Sequence, residues 1–298
     1  MVVVEVASVD IVKGRSIDRP LAESQGELEM KNWKKLDRRE ALILGGKVIT
    51  LGSALAVGGS LFSCGSELTT NTGASAGVDT STGGGGSCAS AIPSETEGPY
   101  PAHDDSAKNC LRFSGIVRQD ITSSLNTGGY YGTSVADGIP LRITLTLSSA
   151  GSCSPLSGYA LYLWHCDSTG GYSMYSSGVS SETYLRGVQQ SDANGQVVFD
   201  TIFPGCYDGR VPHMHFEVFQ SLSSAVDDAY VLKTSQLTFD RSVCQTVYSD
   251  SRYGSSSSNL SRIDFASDGI FSDGYSTQLA SLSGSNSSGY EASLLVGL

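Results

Sequence analysis

The sequence predicts an all-β domain: a β-sandwich of mainly antiparallel sheets joined by long loops. Short alternating or β-branched runs recur along the later two-thirds of the 298-residue chain, and alternation with a period of two is the pattern of a half-buried strand. Clusters of Gly, Ser, Asn and Asp separate these runs and are typical of turns. Long stretches of helical periodicity are scarce. These observations favour a sandwich over a helical or alternating α/β fold.

The clearest strands lie in the middle of the domain. An Asn194-Gly195 pair is a tight-turn signal that leads directly into one of them. The stretch 249–298 is rich in Ser and Gly but keeps spaced apolar residues, so we expect loops and closing strands there rather than disorder. The predicted strands are residues 141–147, 159–164, 196–202 and 213–219.

Composition divides the chain into three segments. Residues 1–63 are predicted to be an export signal region, with Met30 as the true start because a basic stretch typical of a signal peptide begins there. Residues 64–87 begin with a lipidated cysteine and continue as a tether rich in Gly, Ser and Thr. Residues 88–298 are long enough to bury one substantial core and form the β-sandwich domain.

The front segment predicts the location of the protein. Residues 36–44 resemble a twin-arginine export signal, and the apolar stretch that follows ends in Leu-Phe-Ser-Cys, a lipobox-like sequence that predicts acylation of Cys64. A transmembrane helix is the alternative, but the stretch is short, glycine-rich and interrupted by Lys47. We therefore expect an exported lipoprotein that contacts the membrane only through its lipid anchor and faces the periplasm or the cell exterior.

The charge balance excludes some partners. Of the 19 Lys and Arg residues, 9 precede Cys64, as do 8 of the 30 Asp and Glu residues. The part after Cys64 therefore has 10 basic and 22 acidic residues, a net charge of −12. Such acidity argues against nucleic acid as a partner and mildly favours an uncharged substrate.

Cysteine usage predicts a disulfide-stabilised domain. Six cysteines follow Cys64, and an even number in an exported domain indicates up to three disulfides, although the sequence does not choose among the pairings. We expect bonds from Cys166 and Cys206 to brace the functional site described next. The alternative is that these cysteines are small buried hydrophobic residues. The six are Cys88, Cys110, Cys153, Cys166, Cys206 and Cys244.

The short segment 204–216 contains a tyrosine, an arginine and a His-x-His pair. His213 and His215 project from the same face of their strand because successive side chains alternate between faces. Two imidazoles on one face make half of a metal site. Tyr207 precedes an Asp-Gly turn that could fold it back toward them, and Tyr172 lies earlier in a polar stretch flanked by glycines.

The types of ligand indicate the metal. A phenol has an ordinary pKa of about 10, so a tyrosine at neutral pH is a poor ligand unless a strongly charged cation lowers that pKa. Phenolate and imidazole differ from the thiolates that favour zinc or copper(I). Two phenolates and one hydroxide would balance a charge of 3+, which suits ferric iron.

These residues, in this order, resemble the intradiol ring-cleavage dioxygenases, the family of catechol and protocatechuate dioxygenases. The resemblance runs from about residue 95 to about residue 240 and includes the segments 97–100 and 185–192. It implies a β-sandwich with long active-site loops and a non-haem Fe(III) cofactor. The ligands implied by the resemblance are Tyr172, Tyr207, His213 and His215.

The resemblance also implies a reaction. A catechol-type aromatic ring would be opened by O2 between its two hydroxylated carbons to give a muconate-type diacid. Tyr207 would leave the metal and act as a base, Arg210 would stabilise charge that builds on the ring, and Gln236 would support the oxygenated intermediate. The helical dimerisation domain of the cytoplasmic catechol enzymes does not precede this core, which favours a monomer.

Two other functions remain open at this point. His213, His215 and Glu217 share one face, which could form a cupin-like Fe(II) or Mn site, but that interpretation leaves both tyrosines unexplained. The other alternative is a non-catalytic β-sandwich lipoprotein that binds an aromatic or glycan ligand. Of the remaining histidines, we expect His165 to be structural and assign no role to His103.

Overall fold

Strands dominate the regular structure in the computed structural model, which describes residues 89–103, 108–125 and 131–298. All of them belong to one unit, 79–298. The export signal region with its Met30 start, the lipidated Cys64, the tether and Cys88 lie outside the described residues. The proposals made for those segments therefore stay predictions.

The strands form two four-stranded sheets in the described part of the chain. In the first, ordered β4-β1-β8-β7, β1 runs parallel to β8 and the other pairs are antiparallel. The second, ordered β3-β2-β5-β6, is antiparallel throughout. The predicted all-β sandwich is confirmed. The strands are β1 (Pro140–Ser148), β2 (Ala160–Trp164), β3 (Arg186–Gln190), β4 (Gln196–Ile202), β5 (His213–Phe219), β6 (Val231–Thr238), β7 (Ser281–Ser285) and β8 (Gly289–Gly297).

Helices are few and short. Helix α1 (Arg241–Val247) is preceded by its N-cap, Asp240, whose carboxylate accepts hydrogen bonds from the amides of Ser242 and Val243. Helix α2 (Ser256–Ser261) follows it. No helix in the described ranges is long and apolar enough to cross a membrane. Single 3₁₀ turns cover Cys110–Arg112, Asp228–Tyr230, Ser251–Tyr253 and Phe271–Asp273.

The four predicted strands all form, with ends that differ by at most one residue. The prediction of closing strands near the C-terminus is also correct, because β7 and β8 form there. Two strands were not predicted: β3 and β6 are rich in polar residues, and only their partners in the sheet make them extended. Gly195 has φ +76°, and a Cβ there would lie 2.2 Å from the carbonyl oxygen of Leu147, so this turn requires glycine.

The main core lies between the two sheets and is built by alternation. On β1, Ile143 and Leu145 are fully buried and belong to the same apolar cluster as Phe216 of β5. Burying a side chain of this size stabilises the fold by roughly 1.5–3 kcal/mol. The other face of β5 is also buried, but it carries His213, His215 and Glu217. The functional side chains therefore lie on the outer face of the β3-β2-β5-β6 sheet, under loops.

The sequence allowed up to three disulfides, but four of the six cysteines form none. Cys110, Cys166, Cys206 and Cys244 are free and buried, whereas Cys153 is disulfide-bonded. Bonds that brace the site therefore do not form: the Cys166 sulfur lies 3.5 Å from a backbone carbonyl oxygen, that of Gly205, and the Cys206 sulfur 3.4 Å from that of Arg210. Burial raises the pKa of Cys206 to about 12, so its thiol stays protonated. These two cysteines act as small buried hydrophobic residues.

Candidate metal centre

Four predicted ligands bring their polar atoms together on the outer face of the second sheet. Tyr172 Oη lies 3.2 Å from His215 Nε2, and Tyr207 Oη lies 3.0 Å from His213 Nε2. The two imidazole ring centres are 4.8 Å apart and the two phenol ring centres 5.9 Å. A metal bound at about 2.1 Å holds neighbouring ligand atoms about 3 Å apart. The spacing of these four side chains therefore fits one metal ion.

Both histidines have the form that a metal requires. His213 Nδ1 donates to the carbonyl oxygen of Val211 at 2.7 Å, which leaves the lone pair on Nε2. Burial lowers the pKa of His213 and His215 well below the ordinary value, with Arg210 contributing in the same direction, so both imidazoles are neutral. Neutral imidazole is the form that binds metals.

Packing orients the ring of His215. The ring stacks on that of Trp164 with 5.0 Å between centres and 9° between planes. On its edge lies Gly98, where a Cβ would come within 3.3 Å of His215 Cε1. Gly98 also has φ +73°, a conformation that favours glycine. The Nδ1 atom of His215 is buried and has no hydrogen-bond partner in the described part of the chain.

The loop after β2 positions Tyr172. The carboxylate of Asp167 accepts a hydrogen bond from the amide of Gly171 at 2.9 Å, which folds the loop back on itself. Gly170 has φ +91°, and a Cβ there would lie 3.0 Å from the Cβ of Tyr207. Residues 164–172 have the pattern Trp-x-x-Asp-x-x-Gly-x-Tyr. The hydrogen bond explains its Asp, and the close approach explains its first Gly.

The two phenols are neutral when no metal is bound. Burial raises the pKa of Tyr207 to about 12, although the nearby Arg210 acts in the opposite direction. Burial and the neighbouring Tyr207 raise the pKa of Tyr172 well above its ordinary value. Only a strong positive charge would offset this desolvation and hold two phenolates here. The donor set therefore suits a highly charged cation better than a divalent one.

Arg210 and Gln236 lie beside the four candidate ligands. Arg210 Nη1 is 3.3 Å from His213 Nε2, and Arg210 Nη2 donates to Gln236 Oε1 at 2.8 Å. Gln236 Nε2 donates in turn to the carbonyl oxygen of Thr96 at 2.8 Å. Sequence reasoning missed Asp268, whose carboxylate accepts from Arg210 Nε at 2.9 Å. Asp268 lies in a Ser- and Gly-rich stretch, where no local pattern marks it.

A buried arginine, Arg186, connects two segments that border the site. Arg186 donates to the backbone carbonyl of Ser173, next to Tyr172, at 2.9 Å and to that of Pro101 at 3.2 Å. It also donates to the hydroxyl of Tyr162 at 3.0 Å. Arg186 thus ties the Tyr172 loop to the segment that follows Gly98. Its position in the 185–192 family segment was the signal that could have identified this role.

Glu217 faces a different set of partners. Its Oε1 accepts from the hydroxyl of Thr234 at 3.0 Å, and its Oε2 lies 2.9 Å from His103 Nε2. With Glu97, these form a group whose ligand atoms lie within 4.8 Å of one another. His103, which received no role from the sequence, therefore contacts Glu217. This arrangement does not favour Glu217 as a third ligand beside His213 and His215.

His165 is not placed to bind the same ion. Its Nδ1 lies 2.8 Å from the carbonyl oxygen of Cys166, and its Nε2 lies 2.8 Å from the hydroxyl oxygen of Thr201 on β4. Both ring nitrogens therefore hold structural contacts, in keeping with the structural role expected from the sequence.

The sequence and the fold were compared with those of known proteins, and both are similar to dioxygenases. A dioxygenase family model matches residues 139–227. An intradiol ring-cleavage dioxygenase from Tetranychus urticae is 27% identical, with 70% of this chain and 94% of that chain covered and a TM-score of 0.53. The dioxygenase Tetur07g02040 has the same identity and coverage and a TM-score of 0.54. No curated protein matches the sequence.

The family match covers all four candidate ligands and strands β1 to β5 of the sandwich. The two structural neighbours extend the likeness over 70% of the chain. Together they confirm the resemblance drawn from the sequence. Over the matched residues, this chain is similar to the intradiol ring-cleavage dioxygenases.

Proposed function

We propose that this protein is a non-haem Fe(III) intradiol dioxygenase that opens catechol-type rings with O2 to give muconate-type diacids. One observation carries the proposal: the polar atoms of Tyr172, Tyr207, His213 and His215 meet at contacts of about 3 Å. These four residues would hold the iron. The reaction balances without a further reductant, because both atoms of O2 end in the two carboxyl groups of the product.

The iron, when bound, would lower the pKa of both phenols and draw electron density from the catechol ring, which makes the ring reactive toward O2. Tyr207 Oη is the base in this proposal. As a phenolate it would accept one catechol proton. Burial raises its pKa to about 12 without a metal, which supports its keeping that proton once it is neutral.

Arg210 has the position of an electrostatic stabiliser. Its Nη1 group lies beside His213 Nε2, so its N–H groups border the ligand cluster and can face negative charge on a substrate oxygen. Gln236 is fully buried, and both ends of its amide are engaged, by Arg210 and by Thr96. This geometry supports a role for Gln236 in orienting Arg210.

The test is a visible absorption spectrum of the purified domain with an iron assay, before and after anaerobic addition of catechol. We expect about one iron per chain, a broad charge-transfer band from the phenolates, and a shift of that band to longer wavelength with catechol. Admission of O2 should then release a muconate-type product. A protein that stays colourless after reconstitution with ferric iron would contradict the proposal.

Matched tyrosine variants assign the band to the site. Tyr207→Phe should weaken or shift the band, because one of the two phenolates is lost. Tyr290→Phe is the control, because Tyr290 is a buried tyrosine on β8 whose hydroxyl donates to Asn286 at 3.0 Å, outside the ligand cluster. The control should keep both the band and the turnover.

A further inference from the structure

Asp268 is a fully buried carboxylate that belongs to the C-terminal stretch, 58 residues after Arg210. Its two oxygens accept Arg210 Nε at 3.1 and 2.9 Å. They also accept the amides of Val211 at 2.8 Å, Ile270 at 2.9 Å and Phe271 at 3.2 Å. One carboxylate therefore fixes the Arg210 side chain, the start of the His213 segment and its own loop.

Each nitrogen of the Arg210 guanidinium has its own contact. Asp268 holds Nε, Gln236 holds Nη2, and Nη1 lies at His213 Nε2. The guanidinium carbon also lies 5.7 Å from the centre of the Phe271 ring. A charge-assisted contact of this kind sets the direction as well as the position of an arginine. An imidazole nitrogen that binds a metal no longer accepts a hydrogen bond, so the Nη1 donors would then be available to a substrate oxygen.

We propose that Asp268 is a positioning residue that holds Arg210 at the ligand cluster, and that their ion pair cancels the charge of Arg210 so that the site favours an uncharged catechol over a carboxylated one. This proposal rests on the proposed function. It assigns to the C-terminal stretch a direct part in the active site. It also gives a reason for substrate preference: a paired arginine is a poor partner for a second carboxylate.

Because Asp268 also accepts backbone amides, a loss of activity alone would not separate positioning from local folding. Asp268→Asn keeps the size of the side chain but removes its charge and one acceptor oxygen. Asp264→Asn is the matched control: Asp264 is an exposed residue of the same stretch, and its carboxylate accepts the amide of Ser267 at 2.9 Å. The iron-loaded full chain is measured for iron content, visible spectrum, and kcat and KM with catechol and with 3,4-dihydroxybenzoate.

In Asp268→Asn we expect the iron content and resting spectrum of the wild type and a kcat for catechol reduced by about 10- to 100-fold, because misplacement by about 1 Å has effects of that size. The ratio of kcat/KM for the two substrates should move toward 3,4-dihydroxybenzoate by about tenfold, since the freed guanidinium attracts its carboxylate. Asp264→Asn should match the wild type in every measurement.

Three results would overturn the proposal. The first is that Asp268→Asn keeps the kcat of the wild type and its ratio of kcat/KM for the two substrates. The second is an equal loss for both substrates together with lost iron, which would show a structural role only. The third is an additive effect in a cycle with Arg210→Lys, because a residue that acts through Arg210 should lose its effect once Arg210 is replaced.

A second variant covers the case in which Asp268→Asn does not fold. Asp268→Glu keeps the charge but moves the carboxylate by one methylene group, so kcat should fall while the iron band is unchanged, and wild-type kcat would overturn the proposal. A wild-type chain with neither iron band nor turnover would refute the proposed function, and the role of Asp268 with it. An active wild type with indifferent Asp268 variants would refute the positioning role alone.

Discussion

Strand β5 buries both of its faces, and the two faces differ in how they are satisfied. Met214, Phe216 and Val218 pack into the core between the sheets, where volume and shape are the main requirements. On the opposite face, His213 and His215 each need particular partner atoms, which loops from distant parts of the chain supply. One strand therefore joins two layers. The apolar layer tolerates side chains of similar volume, whereas the polar layer requires particular hydrogen-bond partners.

The strongest test of this difference replaces neighbours on opposite faces. His215→Ala should reduce iron to below about 0.1 per chain and kcat/KM by about 1,000-fold or more, because a proposed metal ligand and the stacking partner of Trp164 are both lost. Met214→Leu, a swap of similar volume, should cost less than about 1.5 kcal/mol and keep the iron band. Iron assay and steady-state kinetics measure both. An iron band retained in His215→Ala would break the comparison.

The converse change removes volume from the core face. Phe216→Ala should lower the free energy of unfolding by about 3–5 kcal/mol, because Phe216 is fully buried and a cavity would remain. Urea unfolding of the iron-loaded protein measures this loss. The position of the charge-transfer band should not move, since the side chain points away from the ligands. A band shift as large as that of a ligand variant would show that the faces are coupled.

A third test uses pH at the junction between the two sheets. Burial lowers the pKa of His165 to about 4, below the ordinary value of about 6.5. The unfolded chain therefore takes up this proton first, and stability present above pH of about 6.5 is lost as the pH falls toward 4, by on the order of 3 kcal/mol. Urea unfolding at several pH values should show a smaller loss in His165→Gln, whose amide does not titrate. Equal losses in both proteins would contradict this assignment.

The smallest expected effect comes from the edge of the site. Gly98→Ala places a methyl group 3.3 Å from His215 Cε1 at a residue with φ +73°. We expect a loss of about 1–2 kcal/mol in stability, because the left-handed conformation disfavours alanine. Iron should dissociate faster into a chelator than from the wild type. Gly269→Ala is the control, since a Cβ there meets nothing within 4 Å. A similar rate of iron loss in that variant would show that the contact between Gly98 and His215 does not stabilise iron binding.

Sequence reasoning worked where the pattern is local. Alternation located β1, β2, β4 and β5, and the His-x-His spacing gave the shared face of His213 and His215. It failed for β3 and β6, whose polar side chains become buried only because the site and its loops cover them. The partners of the site show the same limit. Asp268 and the contact between His103 and Glu217 depend on long-range folding that no local pattern records.

The prediction that disulfides brace the site failed for a related reason. An even count constrains pairing only if the sulfurs meet, and Cys166 and Cys206 lie against backbone carbonyls instead. The identity of the four candidate ligands could be read from residue type and order. Their placement within about 3 Å could not, because it depends on the loop held by Asp167 and on the stacking of Trp164.

Strand β8 lies between β1 and β7, although it is the last of the described strands in chain order. While the ribosome is still making the chain, β1 has one edge without its final neighbour, and the Arg210 segment is made before Asp268. Pairing of strands so far apart in sequence is slow. Neither the sheet nor the site can close until nearly the whole domain has emerged. We therefore expect this domain to fold only after β8 has been made, and the unpaired edge of β1 to be exposed until then.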